Sequence, residues 1–201
     1  MKLAVLGATG RTGRLVVAAA RTRGHVVTAL TRGKPAADQE TLKWVRGDVG
    51  SRRVLWDMID GQDAVISTLG PPRTGRDVCS TATATLIALG VKRLIVVSGA
   101  GVDFPGDRKD VAGRVVSYIV RRLSPAVFAD KQREIALLQT SGIDWTAIRA
   151  PRLTDGRSGR PIQARLDRSP GNQIERTQLA EFCIEVAETG SFAGQAPFVS
   201  N

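Results

Sequence analysis

The sequence of 201 residues predicts an α/β fold: a doubly wound, mostly parallel sheet with helices on both faces and a small C-terminal cap. Two observations predict it. Strand and helix patterns alternate along most of the chain, and the strand at 93–97 is apolar after Arg93, as in a strand buried on both faces. Right-handed crossovers then place the helices on both faces of the sheet.

The elements follow one another in a regular order. Short apolar or β-branched runs predict strands, and longer runs that end at glycine or flank proline predict helices. The strands are expected at 2–6, 25–30, 42–46, 63–68, 93–97 and 144–149, and the helices at 15–20, 54–59, 83–89, 111–123 and 126–140. In such a fold the ligand lies beyond the carboxyl ends of the strands.

The last fifty residues show a different pattern. Short strands are expected at 162–166, 173–175 and 197–200, and a helix at 178–188. The Gly- and Arg-rich stretch 152–161 is expected to be a loop that closes over the site. We interpret residues 1–201 as a single domain in which 152–201 form this substrate-side loop and the cap.

Glycines recur at three-residue steps directly after the first strand. The stretch consists of Gly7, Gly10 and Gly13 with Thr9, Arg11 and Thr12 among them. Glycine lets the backbone turn tightly and approach a pyrophosphate, and the helix behind it directs N–H groups and a positive dipole end at the phosphates. The alternative is a glycine-rich turn without a ligand. Because the stretch follows a strand and opens a helix, it favours a dinucleotide site.

The end of the second strand indicates which dinucleotide binds. An NAD site usually has Asp or Glu there to accept from the ribose 2′-hydroxyl, whereas this chain has Thr31 and Arg32. A guanidinium binds a 2′-phosphate through two charge-assisted hydrogen bonds, and Arg11 is a second candidate for the same phosphate. We therefore expect NADP(H) in preference to NAD(H). The alternative is that Arg32 is only a solvated residue.

The third strand is followed by Asp48 and Val49, which we expect to contact the adenine through the carboxylate and a backbone N–H. The alternative is that Asp48 or Ser51 caps the next helix.

The fourth and fifth strands end in further candidates. The fourth strand ends at Thr68 and is followed by Leu69 and Gly70, where glycine lets the backbone pass beside the cofactor ribose. Ser98 ends the fifth strand, where the nicotinamide is expected. Its hydroxyl would bond a substrate carbonyl or the carboxamide; the alternative is an ordinary turn serine.

The charge and composition narrow the choice of partners. The formal net charge is +10, and the densest basic cluster is Arg157, Arg160, Arg165 and Arg168. A basic surface suits phosphorylated cofactors as well as nucleic acid. Aromatic residues make up 4% and are not interleaved with basic ones, so we expect no nucleic-acid partner.

Several other classes are not expected. No apolar run reaches the ~20 residues of a membrane span, and no signal-peptide pattern is visible, so a cytoplasmic protein without a membrane partner is expected. Cys79 and Cys183 are then expected as free, buried thiols. With His25 as the only histidine, no metal site is predicted.

The chain resembles the short-chain dehydrogenase/reductase superfamily, and within it the atypical NmrA-like and biliverdin reductase B-like flavin reductases. The resemblance is carried by residues 7–13, 31–32, 47–49, 66–70, 97–100, 131–134 and 141–151. It implies a Rossmann-type fold and NAD(P) binding, usually of NADPH. It also implies that Lys131 holds the ribose and that Pro151 lies at the cofactor.

The chain departs from that superfamily at the catalytic dyad. A Tyr-x-x-x-Lys pattern usually supplies the proton, but Val127 stands four residues before Lys131. Tyr118 and Arg122 form a weaker alternative pair in the preceding helix.

We therefore expect hydride transfer to a flavin-like, quinone-like or other conjugated acceptor, with Ser98 and Lys131 as the catalytic candidates. The alternatives are a reductase of a specialised metabolite and a non-catalytic NADP(H)-binding sensor. The sequence leaves the oligomeric state open.

Overall fold

The computed structural model describes residues 1–70, 77–109, 111–156 and 159–201. Ten strands and six helices occur in these ranges. In chain order they are β1 (Lys2–Leu6), α1 (Gly13–Thr22), β2 (Val26–Thr31), β3 (Leu42–Arg46), α2 (Arg52–Ile59), β4 (Ala64–Ser67), α3 (Val78–Ala88), β5 (Arg93–Gly99), α4 (Val111–Leu123), α5 (Pro125–Thr140), β6 (Asp144–Ala150), β7 (Arg152–Thr154), β8 (Gln163–Arg165), β9 (Gln173–Glu175), α6 (Arg176–Thr189) and β10 (Phe198–Ser200).

Eight strands form one sheet in the order β3-β2-β1-β4-β5-β6-β10-β8. All neighbours are parallel except β8, which is antiparallel to β10. The chain reverses its direction of winding between β1 and β4, where a Rossmann-type sheet binds a dinucleotide. The predicted fold class is confirmed.

Alternating residues of the sheet bury against two helical layers. Leu3 and Val5 of β1 pack in the core with α1 and α6, whereas Ala4 and Leu6 face the core with α2, α3 and α5. Because both faces of the sheet are covered, β1 is apolar at four consecutive positions, from Leu3 to Leu6.

The C-terminal segment contributes to these central layers. β10 pairs with β6 and β8 at the edge of the sheet, and the apolar face of α6 packs in the α1 core. The prediction of a loop at 152–161 is wrong in part, because Arg152–Thr154 forms β7 and pairs in parallel with β9. Arg157 of the predicted basic cluster lies outside the described residues.

The two cysteines are free and buried, as predicted. Burial raises the pKa of each thiol to about 12. None of the described helices combines the length and apolarity that crossing a bilayer requires.

Candidate functional site

The loop between β1 and α1 requires glycine at two positions. Gly7 has φ +75°, and a Cβ on it would lie 2.8 Å from Thr68 Oγ1. A Cβ on Gly13 would lie 2.0 Å from the Gly7 carbonyl oxygen. The Gly10 N–H donates to the Gly7 carbonyl at 2.9 Å, which closes the turn. The loop is therefore tight because the start of α1 approaches the end of β1 closely.

The N-terminus of α1 is prepared for an anion. Thr12 occupies the N-cap position but makes no side-chain capping bond, and the first turn carries no acidic residue. The N–H groups of Arg14 and Leu15 already donate to the Gly10 and Thr12 carbonyls, at 3.0 and 2.9 Å, so the positive dipole end of the helix is what this N-terminus offers a phosphate.

A cleft of about 480 Å³ lies beside this loop. Nine of its lining residues were predicted from the glycine loop or from strand ends, namely Gly7, Thr9, Gly10, Arg32, Asp48, Val49, Thr68, Leu69 and Gly70. Five others were not predicted, namely Leu30, Gly50, Asp77, Val78 and Thr81. The cleft thus brings together the loop and the carboxyl ends of β1, β2, β3 and β4.

The two charged candidates in the cleft, Arg32 and Asp48, differ in their surroundings. Arg32 is exposed, while the hydroxyl of its neighbour Thr31 accepts from the Gly33 N–H at 3.2 Å and shapes the turn. Asp48 accepts from the Gly50 N–H at 2.8 Å. Ser51 caps α2 by accepting from the Val54 N–H at 3.4 Å, which leaves Asp48 facing the cleft.

Thr68 has a supporting role at the end of β4. Its hydroxyl donates to the Leu6 carbonyl at 3.0 Å and approaches the Gly7 carbonyl at 3.3 Å. It therefore holds the glycine loop against the sheet.

Arg11 is not one of the residues that line the cleft. It forms an ion pair with Asp155, just beyond β7, and Asp155 also accepts from Arg176 at 2.7 Å. Desolvation opposes ionisation of Asp155, but the hydrogen bonds from Arg176 and Arg11 outweigh it and lower the pKa of this carboxyl. Arg11 is therefore paired with a carboxylate, whereas Arg32 lines the cleft.

Ser98 and Lys131 lie below the cleft surface. The Ser98 hydroxyl is buried without a hydrogen-bond partner among the described residues. The Lys131 ammonium donates to the Val97 carbonyl and to Glu134, both at 2.9 Å. Burial alone would lower the pKa of Lys131, but Glu134 outweighs it and raises the pKa. Lys131 is therefore held by an ion pair within α5 and by a hydrogen bond to β5.

The remaining predicted positions flank the end of β5. Pro151 is half-buried and follows β6, whose last carbonyl, that of Ala150, accepts from the Ala100 N–H at 2.8 Å. Val127 is half-buried on α5 and has no acid or base function, whereas Tyr118 is 65% exposed on α4.

Comparisons with known proteins agree with this geometry. The family model described as NAD(P)H-binding matches residues 7–189. A Streptococcus pneumoniae protein provisionally named an NADH-flavin reductase has a TM-score of 0.82 at 24% identity, covering 100% of this chain and 99% of that one. The match therefore spans both chains, and at this identity it shows a shared fold.

Two further solved structures have the same fold. ChuY, named an anaerobillin reductase from Escherichia coli, has a TM-score of 0.82 at 20% identity and covers 100% and 97% of the two chains. A short-chain dehydrogenase/reductase from Veillonella parvula in complex with NADP has a TM-score of 0.81 at 17% identity, covering 100% and 94%. These findings confirm the predicted fold and the predicted NAD(P)-binding family.

Proposed function

Because the chain belongs to the NAD(P)H-binding family, we propose that it is an oxidoreductase that transfers hydride from NADPH to a flavin-like, quinone-like or other conjugated acceptor. One observation carries the proposal: the glycine loop, Arg32 and Asp48 line a single cleft at the carboxyl edge of the sheet. The positions where a Cβ would collide and the uncapped start of α1 suit a pyrophosphate.

The preference for NADP(H) rests on Arg32. It lies in the cleft at the end of β2, where a carboxylate would favour the 2′-hydroxyl of NAD. Its guanidinium would hold a 2′-phosphate, while Asp48 would accept from the adenine amino group. When bound, reduced nicotinamide supplies the hydride.

The choice of acceptor rests on the missing proton donor. Val127 replaces the usual tyrosine, so a carbonyl reduced to an alkoxide would find no tyrosine acid. A flavin or quinone forms a delocalised anion that water protonates. The names of the pneumococcal protein and of ChuY agree with acceptors of this type.

A non-catalytic NADP(H) sensor is the second candidate. Neither Ser98 nor Lys131 opens onto the cleft, and the Lys131 ammonium already bonds the Val97 carbonyl and Glu134. A sensor needs the dinucleotide cleft but no acceptor site.

The first test mixes the protein with NADPH and FMN, riboflavin or a simple quinone, and follows the absorbance of reduced nicotinamide. We expect oxidation that depends on both protein and acceptor. Tight NADPH binding without oxidation by any acceptor would support the sensor and contradict the reductase.

The second test replaces Arg32 with alanine. Loss of a charge-assisted pair with the 2′-phosphate should raise the Kd for NADPH by about 10- to 100-fold and leave the Kd for NADH unchanged. Lys34→Ala is the matched control, because Lys34 is exposed two residues away and does not line the cleft. An equal effect on both dinucleotides would show that Arg32 does not read the 2′-phosphate.

A further inference from the structure

Helix α4 has an apolar face that the other described residues leave in solvent. Val111, Val115, Tyr118, Ile119 and Leu123 recur at three- and four-residue steps, and each is between 46% and 77% exposed. Side chains at this spacing lie side by side on a helix. They therefore form one continuous patch, which is unlike single apolar residues scattered over a surface.

The opposite face of α4 is attached to the fold. Val120 lies 3.4 Å from the position of a Cβ on Gly101, and the Ser117 hydroxyl accepts from Lys109 at 3.1 Å. At the end next to α5, the Arg121 guanidinium lies 5.7 Å from the centre of the Phe128 ring. The helix is thus anchored by one side and presents the other outwards.

The charge of α4 indicates the kind of surface that covers the patch. Arg114, Arg121 and Arg122 are exposed on it, and the sequence of the helix contains no acidic residue. A second copy docked helix to helix would bring six arginines together without a carboxylate from either α4, and each chain carries a net charge of +10. An anionic surface is the electrostatic complement.

The shape of the patch favours a lipid surface. It lies on the convex side of a single helix, where a flat bilayer can receive the whole apolar face. Basic amphipathic helices lie in the interface with apolar side chains among the acyl chains and arginines at the phosphates, and tyrosine suits the same depth. We propose that α4 docks this protein onto an anionic membrane surface.

The test is sedimentation of the full chain with vesicles of phosphatidylcholine alone or with phosphatidylglycerol added, at low and high salt. We expect binding only to the anionic vesicles and loss of binding at high salt. Because the measurement needs no cofactor or acceptor, its outcome is independent of the reductase proposal. Binding to neither kind of vesicle, or equal binding to both, would overturn the proposal.

Variants separate the apolar face from the arginines. The double variant Tyr118→Ser with Ile119→Ser should reduce binding to anionic vesicles at least tenfold, because two large apolar side chains are no longer removed from water at the membrane. Trp56→Ser is the matched control, since Trp56 is 49% exposed on α2. All these side chains are exposed, so thermal unfolding of the variants should match the parent protein. If the double variant binds as the parent does, the face does not dock.

The charge variants complete the test. Arg114→Gln with Arg122→Gln should weaken binding by about fivefold for each arginine removed. Arg52→Gln with Arg53→Gln makes the same change of charge on α2 and should have a smaller effect. Sedimentation velocity distinguishes the remaining occupant: a dimer that Ile119→Ser dissociates would overturn the proposal and assign the face to a second copy.

Discussion

Asp155 lies between two arginines that belong to different parts of the fold. Arg11 comes from the glycine loop and Arg176 from the first turn of α6. The pair with Arg11 is open to solvent, with 64% of the arginine and 58% of the aspartate side chain exposed, so it is inexpensive to break. Under the proposed function, the 2′-phosphate, for which Arg11 is the second candidate, competes with Asp155 for Arg11.

Asp155→Asn should therefore tighten NADPH binding. Removing the competing carboxylate frees Arg11, and because an exposed pair of this kind is weak, we expect Kd to fall by no more than about fivefold. Fluorescence titration at low and high salt measures the change, and salt should reduce it.

Asp57→Asn is the control, because it removes the same charge from a solvent-exposed pair on α2. An Asp155→Asn variant that binds NADPH no better than the control would show that Asp155 does not compete for Arg11.

At the scale of elements, the start of α3 shows why the sequence predicted only part of a helix. The prediction began at Thr83, but the helix begins at Val78. Its first turn consists of Val78, Cys79, Ser80 and Thr81, all of modest helix propensity. The N–H groups of Cys79 and Ser80 are capped by Asp130 from α5, at 3.0 and 2.9 Å. Because this cap comes from a helix far along the chain, the residues around Val78 carry no sequence pattern that marks the helix start.

The missed start of α3 also explains three of the five cleft residues that were not predicted. The start of α3 lines the cleft with Asp77, Val78 and Thr81. The predicted lining residues, by contrast, all lie at the ends of strands or in the glycine loop. The ends of parallel strands could be located because their apolar runs are clear. Because the predicted helix began five residues too late, its predicted N-terminus did not reach the cleft.

β7 shows the same limit for strands. It has only three residues, follows Pro151 directly and pairs with β9 from more than twenty residues later. By contrast, β3 was predicted with its observed bounds. Likewise, Lys131 was assigned to the ribose from family resemblance. Its spacing from Glu134 allows an ion pair on one helix face, but does not reveal that both side chains are buried.

At the scale of the whole molecule, buried charges tie the layers together. Arg149 is fully buried on β6, donates to both carboxylate oxygens of Asp107 at 2.8 and 2.7 Å, and stacks 3.6 Å from the centre of the Phe198 ring. Burial lowers the pKa of Arg149 although Asp107 opposes the shift. Asp130 likewise joins α5 to α3. Removing one partner from such a group leaves the other buried and unpaired.

Asp130→Asn should destabilise the protein, and the loss should depend on pH. Asp130 is fully buried and accepts from two N–H groups and from the Ser80 hydroxyl at 2.6 Å. Desolvation opposes its ionisation, but the bonds from Ser80 and Cys79 outweigh it and lower its pKa below 3.8. Because an amide can replace only part of these bonds, we expect a loss of about 2–3 kcal/mol in the free energy of unfolding at neutral pH.

The sign of the pH dependence follows from the lowered pKa. A carboxyl with a lowered pKa in the folded state stabilises the protein above its unfolded pKa, and this contribution disappears as the pH falls through the folded pKa. The difference between the parent and Asp130→Asn should thus be constant above about pH 5 and shrink below about pH 4. Urea unfolding at several pH values measures it, with Asp57→Asn as the exposed control expected to lose less than about 1 kcal/mol. A difference that stays constant into acid would mean that the pKa of Asp130 is the same in the folded and unfolded chain, and a difference that grows in acid would mean that folding raises this pKa; either result would contradict the prediction.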